Sequence, residues 1–196
     1  MTTKASGAAI VVPLRAFAAG KARLAGRLDD DARAALGRRM AERVVAAAAH
    51  VDVAVVSDAP DVRAWAASLD LTILDDPGSL DGAASAGTRW AEGAGFSRVA
   101  VAHADLPRAR SLEPVLRDGG LPIVSIVPCH RDDGTPVLSL PLPLPDGFRF
   151  AYGAGSFRRH ARTARRAGLA VRVVRDPDLG FDVDVPDDLD ALTAHA

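Results

Sequence analysis

The amino-acid sequence predicts an α/β protein of three layers, a mainly parallel sheet with helices on both faces. Three observations carry that expectation. Short apolar runs alternate with helical patterns along the chain, the mark of strand–helix–strand crossover units. The first run, Ala8–Pro13, contains no polar residue and reads as a buried strand. No repeat, low-complexity tract or long linker interrupts the pattern, so the 196 residues read as one domain with chain enough for a core.

After Ala8–Pro13 comes a loop through Ala18–Leu24, then a helix from about Asp31 to Ala49 capped by Asp29 or Asp30. Val51–Ser57 reads as the second strand, Pro60–Ser68 as a short helix, Leu71–Leu74 as the third strand and Ser79–Gly93 as mostly helix. Arg98–Ala102 and Ile123–Val127 are the fourth and fifth strands. Between Gly134 and Phe150 the rhythm breaks. Pro136, Pro141, Pro143 and Pro145 flank the apolar pieces Val137–Leu140 and Phe148–Phe150. Proline lacks a backbone N–H, which confines such pieces to edge strands or loops, so a local β excursion over the sheet's active edge is expected. A basic helix over Gly155–Gly168, a strand over Val171–Val174 and a helix over Pro186–Ala194 complete the chain.

Charge is nearly balanced, at −1, so no global field recruits nucleic acid or a membrane surface. A single tyrosine further disfavours stacking on bases. No apolar run reaches membrane-spanning length, and Met1–Gly7 lacks the apolar core of a signal peptide. Cys129 is the only cysteine, so no disulfide framework exists and a reducing cytoplasm is the expected location. The five histidines are scattered without zinc-ligand spacing, and no serine–histidine–acid order suggests a hydrolase triad.

The balance hides an asymmetry. Between Asp146 and Asp176 stand eight arginines and no acid; after Arg175 there is no lysine or arginine, while seven aspartates follow. A basic block beside an acidic block suggests an anionic ligand and a cation held near each other, with solubility patterning as the alternative. The basic block opens with Tyr152-Gly153-Ala154-Gly155-Ser156-Phe157-Arg158-Arg159-His160. Glycines allow close backbone approach, the first N–H groups of the helix point at an anion, and Ser156 can cap the helix or donate to a phosphate oxygen. Arg158, Arg159 and His160 add charge there. A capped helix with a solvated arginine face is the competing reading.

Ligands of open α/β sheets bind beyond the carboxyl ends of the strands. Beyond the first strand stand Arg15, Lys21 and Arg23, three cations suited to the phosphates of a nucleotide or forming simply a solvated basic loop, without P-loop or dinucleotide glycine spacing. Beyond the fourth comes His103-Ala104-Asp105-Leu106-Pro107, whose acid is placed to hold magnesium, with a cap for the next turn as the alternative. Near the end, Phe181-Asp182-Val183-Asp184 puts Asp182 and Asp184 on one face if extended, and one of them can complete a metal site with Asp105. Asp187 and Asp188 fall in the first turn of the final helix and complement its dipole. Gly134-Thr135 offers a close backbone and a hydroxyl to a carboxylate or phosphate, or is a plain turn.

These pieces resemble the guanylyltransferases that activate phospholactate or phosphoenolpyruvate for coenzyme F420. The matching parts are Val12-Pro13 to Lys21-Ala22-Arg23-Leu24-Ala25, Ala104-Asp105-Leu106-Pro107, Gly134-Thr135, Tyr152–His160 and Asp182–Leu189, in the family's order over nearly the whole chain. The resemblance implies a nucleotide-diphospho-sugar transferase fold and transfer of GMP from GTP to 2-phospho-L-lactate or phosphoenolpyruvate, with release of pyrophosphate and Mg²⁺ as cofactor. It implies Lys21 and Asp105 as catalytic residues. Thr135, Gly153 and Ser156 would bind the acid, and Arg15, Lys21 and Arg23 the triphosphate. Metal would go to Asp105 with Asp182 or Asp184. Arginines of the 155–168 helix would screen the two anionic reactants from each other, and a homodimer is compatible with the pattern. The chain departs from the family at Arg15, usually lysine, at Pro136, usually asparagine, and at Leu80-Asp81-Gly82, usually leucine-asparagine-alanine, which puts Asp81 beside the expected base. The alternatives are another nucleotidyltransferase of this fold, acting on a molybdenum cofactor or sugar phosphate, and a non-catalytic nucleotide-binding protein.

Overall fold

The computed structural model describes residues 7–17, 21–48, 50–117 and 122–193. The expected extension of the first long helix to Ala49, the 18–20 part of the first loop, and Ala194 at the last helix's end lie outside these residues. Strand β1 (Ala8–Pro13) is apolar, and Ala9 to Val12 are fully buried because neighbours flank it and helices cover both its faces. It leads through the first loop to α1 (Asp30–Ala47), capped by Asp29, whose carboxylate accepts the Ala32 N–H at 2.8 Å. Then come β2 (Asp52–Val56), α2 (Pro60–Ser68), β3 (Thr72–Leu74) and α3 (Leu80–Gly93), the last capped by Ser79. β4 (Arg98–Ala102), a one-turn α4 (Glu113–Leu116), β5 (Ile123–Val127) and β6 (Val137–Pro141) follow, then α5 (Ser156–Arg166), β7 (Ala170–Val173) and α6 (Pro186–Thr193). Four residues are too few to show a helical period, which is why α4 was not legible.

The seven strands lie in the order β3-β2-β1-β4-β6-β5-β7, every pair parallel except those of β6. Alternation along β1 sends Ile10 and Val12 to one face, with residues of α1, α2 and α4, and Ala9 and Val11 to the other, with α3 and α5. A third cluster, Leu24, Leu36, Met40, Phe181 and Val183, fixes the first loop and the acidic segment against α1.

The proline-flanked excursion is corrected by this topology. Val137–Pro141 is an interior strand, antiparallel to both β4 and β5, not an edge piece. Its prolines stand at the margins, Pro136 before it and Pro141 as its last residue, so residues 137–140 keep their N–H groups for pairing. Phe148–Phe150 forms no strand; Phe148 instead enters the core on the α3 and α5 face. Running backwards has a consequence for the site. β6 brings its N-terminal flank, Gly134–Pro136, to the edge where β1 and β4 end, and the His103 N–H donates to the Pro136 carbonyl at 2.8 Å.

Candidate active site

Asp105 lies just beyond β4, and its backbone carbonyl accepts the Val183 N–H at 3.3 Å, which draws the acidic segment alongside. Residues 181–184 are not a strand, yet Asp182 and Asp184 both line one cavity with Asp105. Lys21, in a left-handed conformation (φ 61°), reaches the same point from the first loop. Its ammonium donates to Asp105 Oδ2 at 2.5 Å and to Asp184 Oδ1 at 3.0 Å. Burial alone would lower the Lys21 pKa, but the charges of Asp105 and Asp184 outweigh it and raise it. Burial likewise opposes ionisation of Asp105, and the charges of Lys21 and His103 overcome it, holding the carboxyl below its usual range. Asp182 has looser partners, His130 Nδ1 at 3.2 Å and Arg131 Nη1 at 4.0 Å, and burial, then the charges of Asp105 and Asp184, still push its pKa up.

Among the described residues no three histidine, cysteine, aspartate or glutamate side chains are grouped closely enough to hold a metal ion by themselves. The chemistry nevertheless fits magnesium. Asp105 Oδ1 and Asp182 Oδ1 are buried without a hydrogen-bond partner, His130 Nδ1 lying 3.2 Å from the latter without hydrogen-bond alignment. Buried acceptors left unpaired are costly. Magnesium takes only one or two carboxylates when substrate phosphates and waters complete its shell. Asp184, engaged with Lys21, is less available than Asp182.

Asp188 does more than complement a helix dipole. Its Oδ2 accepts the N–H groups of Asp184 at 2.8 Å and Val185 at 3.0 Å, and its Oδ1 pairs with Arg131. Burial would raise its pKa, but those backbone N–H groups and Arg131 lower it. The buried carboxylate therefore fixes the backbone that carries Asp184.

The glycine–serine segment turns as expected, with Gly153 at φ 98° and Gly155 at φ 72°, a region that favours glycine. Its polar groups are used differently. Gly155, not Ser156, is the N-cap residue of α5. The Gly155 N–H donates to Asp133 Oδ1 at 2.9 Å, the Phe157 N–H to the Asp133 carbonyl, and the Ser156 N–H to Gly153 O. Asp133 thus occupies part of the helix N-terminus expected to receive the ligand. Thr135 and Ser156 do not face each other across the site; their hydroxyls lie 3.2 Å apart on the same wall. His160 is fully buried, and burial, with Arg159 and His103, pushes its pKa down to about 4, so it adds no charge. Arg159 is spent on the carbonyls of Ala151, Tyr152 and Ala154.

Two cavities open on this edge. One of about 210 Å³ is lined by Arg15, Phe17, Lys21 and Met40; the other, of about 450 Å³, by Arg23, Arg131, Thr135, Gly153, Ser156 and Asp182 among others. Leu80, His103 and Asp105 belong to both. The three loop cations are therefore divided: Arg15 faces the smaller cavity, Arg23 the larger, and Lys21 is tied to the acids. No arginine of α5 lines either cavity, contrary to the role expected of the helix arginines; the arginines lining the larger are Arg23 and Arg131. Asp81, expected beside a base, lines neither, and its Oδ1 accepts the Tyr152 N–H at 2.7 Å. Asp133 and the neutral state of His160 escaped the sequence reading because they follow from contacts with residues distant in the chain; Asp188 was read only as a dipole partner, although its bonds to the Asp184 and Val185 N–H groups are local.

The fold is shared with a crystal structure assigned as a nucleotide-diphospho-sugar transferase from Desulfovibrio desulfuricans G20, at a TM-score of 0.77 and 22% identity over 94% of this chain and 85% of that one. A CMP:2-keto-3-deoxy-manno-octonic acid synthetase complexed with CTP superposes with a TM-score of 0.57 and 19% identity, covering 97% of this chain and 98% of the other. The architecture is thus that of the nucleotide-diphospho-sugar transferase fold class. Within that class the chain belongs to the family described as guanylyl transferase CofC like, whose model it matches over residues 8–196. It is 36% identical to the phosphoenolpyruvate guanylyltransferase of Sphaerobacter thermophilus, over 95% of this chain and 92% of the relative. It is 31% identical to the 2-phospho-L-lactate guanylyltransferase of Methanothermobacter thermautotrophicus, over 94% of this chain and 83% of the relative.

Proposed function

We propose that the protein transfers GMP from GTP to the phosphate of phosphoenolpyruvate or 2-phospho-L-lactate, with Mg²⁺ as cofactor. Family membership supports guanylyl transfer, and the two acids are those named in its relatives. The observation that carries the assignment of parts is the meeting of the two cavities at His103 and Asp105. A nucleotide entering along the smaller and an acid seated in the larger bring their reacting atoms to one carboxylate.

An acceptor phosphate oxygen attacks the α-phosphorus of GTP; the new P–O bond forms as the bond to the bridging oxygen breaks, and pyrophosphate departs. No protein nucleophile is required, so the chain supplies alignment and charge neutralisation. Asp105 and Asp182, with their unpaired oxygens, would hold Mg²⁺, which supplies positive charge against the α-phosphate and the leaving group. Lys21 contributes a second cation at that point, and Arg15 faces the nucleotide cavity. Thr135, Ser156 and the backbone at Gly153 bind the acid, while Arg23 and Arg131 lower the repulsion between two anions. The test is pyrophosphate release from each of the four nucleoside triphosphates with each acid. Release from GTP with one or both acids is expected. Release with neither, or a preference for CTP and a sugar phosphate, would overturn the reading.

A further inference from the structure

We propose that His160 is a positioning residue for the acceptor: its ring sets the hydrogen-bond polarity of the Thr135–Ser156 pair so that one hydroxyl proton is left to donate into the cavity. The proposal rests on the acceptor-site reading above.

Both ring nitrogens of His160 are engaged. The Ala151 N–H lies 2.9 Å from Nε2 and can only donate, so Nε2 must accept. A neutral imidazole carries one N–H, which is thereby placed on Nδ1. Thr135 Oγ1, 3.1 Å away, receives it. The charged ring is disfavoured by the same contact, since it would set an Nε2–H against the Ala151 N–H. Tyr152 packs edge-on against the ring, with centroids 4.6 Å apart, and holds its orientation.

The rest is a count of protons. Each hydroxyl has one proton and two lone pairs. Thr135 and Ser156 form one hydrogen bond between them, which uses one of their two protons. With His160 donating, the other proton has no protein acceptor in this trio, and both residues line the larger cavity. In the opposite tautomer Nδ1 would accept from Thr135, Thr135 would accept from Ser156, and the pair would present only lone pairs to an anion. The Ala151 N–H excludes that arrangement. A string of donors thus runs from backbone through imidazole to hydroxyl and ends facing the acceptor, each bond polarising the next.

Two measurements test this. Long-range ¹H–¹⁵N correlation on the ¹⁵N-labelled wild-type protein reads the His160 tautomer; protonation at Nδ1 is expected, and protonation at Nε2 would overturn the proposal. Steady-state kinetics of His160→Asn and His160→Gln then separate positioning from scaffolding. Asparagine puts an amide near the place of Nδ1 and can keep the Thr135 contact; glutamine reaches toward the place of Nε2 and can keep only that of Ala151. The acceptor KM should rise about three- to tenfold in His160→Gln and stay within about twofold in His160→Asn, with the GTP KM unchanged in both. The reverse pattern, or equal rises, would reduce His160 to a brace for the turn at Ala151. Because the tautomer is read on the wild type, a variant that does not fold leaves that deciding measurement intact. A wild-type protein that turns over neither acid refutes the substrate reading, whereas normal turnover with a reversed variant pattern refutes only the positioning role.

Discussion

His160 also links the site to stability through its proton. An unfolded histidine takes up its proton near pH 6.5, whereas the folded ring resists until about pH 4. Between those values the unfolded chain binds more protons, so stability is fully present above about pH 6.5 and falls as pH drops, a loss complete near pH 4 and worth about 3 kcal/mol. Urea unfolding from pH 8 to pH 4 should show this slope in the wild type, and His160→Asn should flatten that part of it. An identical slope in the variant would mean that other groups carry the effect. Lys21 offers a second residue-scale outcome. Removing its ammonium leaves the carboxylates of Asp105 and Asp184 uncompensated beside Asp182. With Asp184 part-exposed and partly screened, Lys21→Met should cost about 1–3 kcal/mol. Added Mg²⁺ should restore part of the lost melting temperature; an unchanged melt would show that the cluster tolerates its charges without the lysine.

Among the elements, α3 shows how the layers close on each other. Its buried face is Ala83, Ala84, Gly87, Thr88 and Ala91, small residues that let the helix axis approach the sheet. At Gly87 an added Cβ would stand 2.3 Å from Val11 Cγ1, inside contact distance, in the middle of β1. Gly87→Ala must therefore push α3 outward or distort β1, at a cost of about 1–3 kcal/mol. A lowered urea midpoint with an unchanged slope is the expected result, and a wild-type midpoint would show that the helix has room to move. Since Leu80, at the start of α3, lines both cavities, the same substitution should also disturb substrate binding. At the other end of the site, Asp133 reaches across 22 positions to hold the turn at Gly155, so the start of α5 is built by two segments.

Across the whole molecule, two cavities share Asp105 and His103, and under the proposed reaction they would hold both substrates at once. Direct transfer then requires a ternary complex. Initial-velocity plots for GTP and the acid should intersect, and parallel lines would reveal a guanylylated enzyme and displace the direct mechanism. No helix among the described residues is long and apolar enough to cross a membrane.

Part of this architecture is legible in the order of residues alone. Buried strands announce themselves as short, largely apolar runs, and the bounds of β1, β4 and β5 coincide with those read from such runs, as those of α2 do with its helical pattern. Glycines at 153 and 155 likewise marked a turn that needs positive φ. The grouping of Asp105, Asp182 and Asp184 was legible because each lies close to an apolar segment aimed at the same edge. The rest depends on how distant segments meet. Prolines at both ends of Val137–Pro141 look the same whether that strand is at the edge or inside; pairing with β4 and β5 settles it, and with it the delivery of Thr135 to the site. Charge in the sequence also misleads about charge in the site. Arg159 is consumed by carbonyls and Lys21 by carboxylates, while His160 is neutral in the core. What a side chain offers a ligand depends on which partners reach it first, and those partners are set by contacts between segments far apart in the chain.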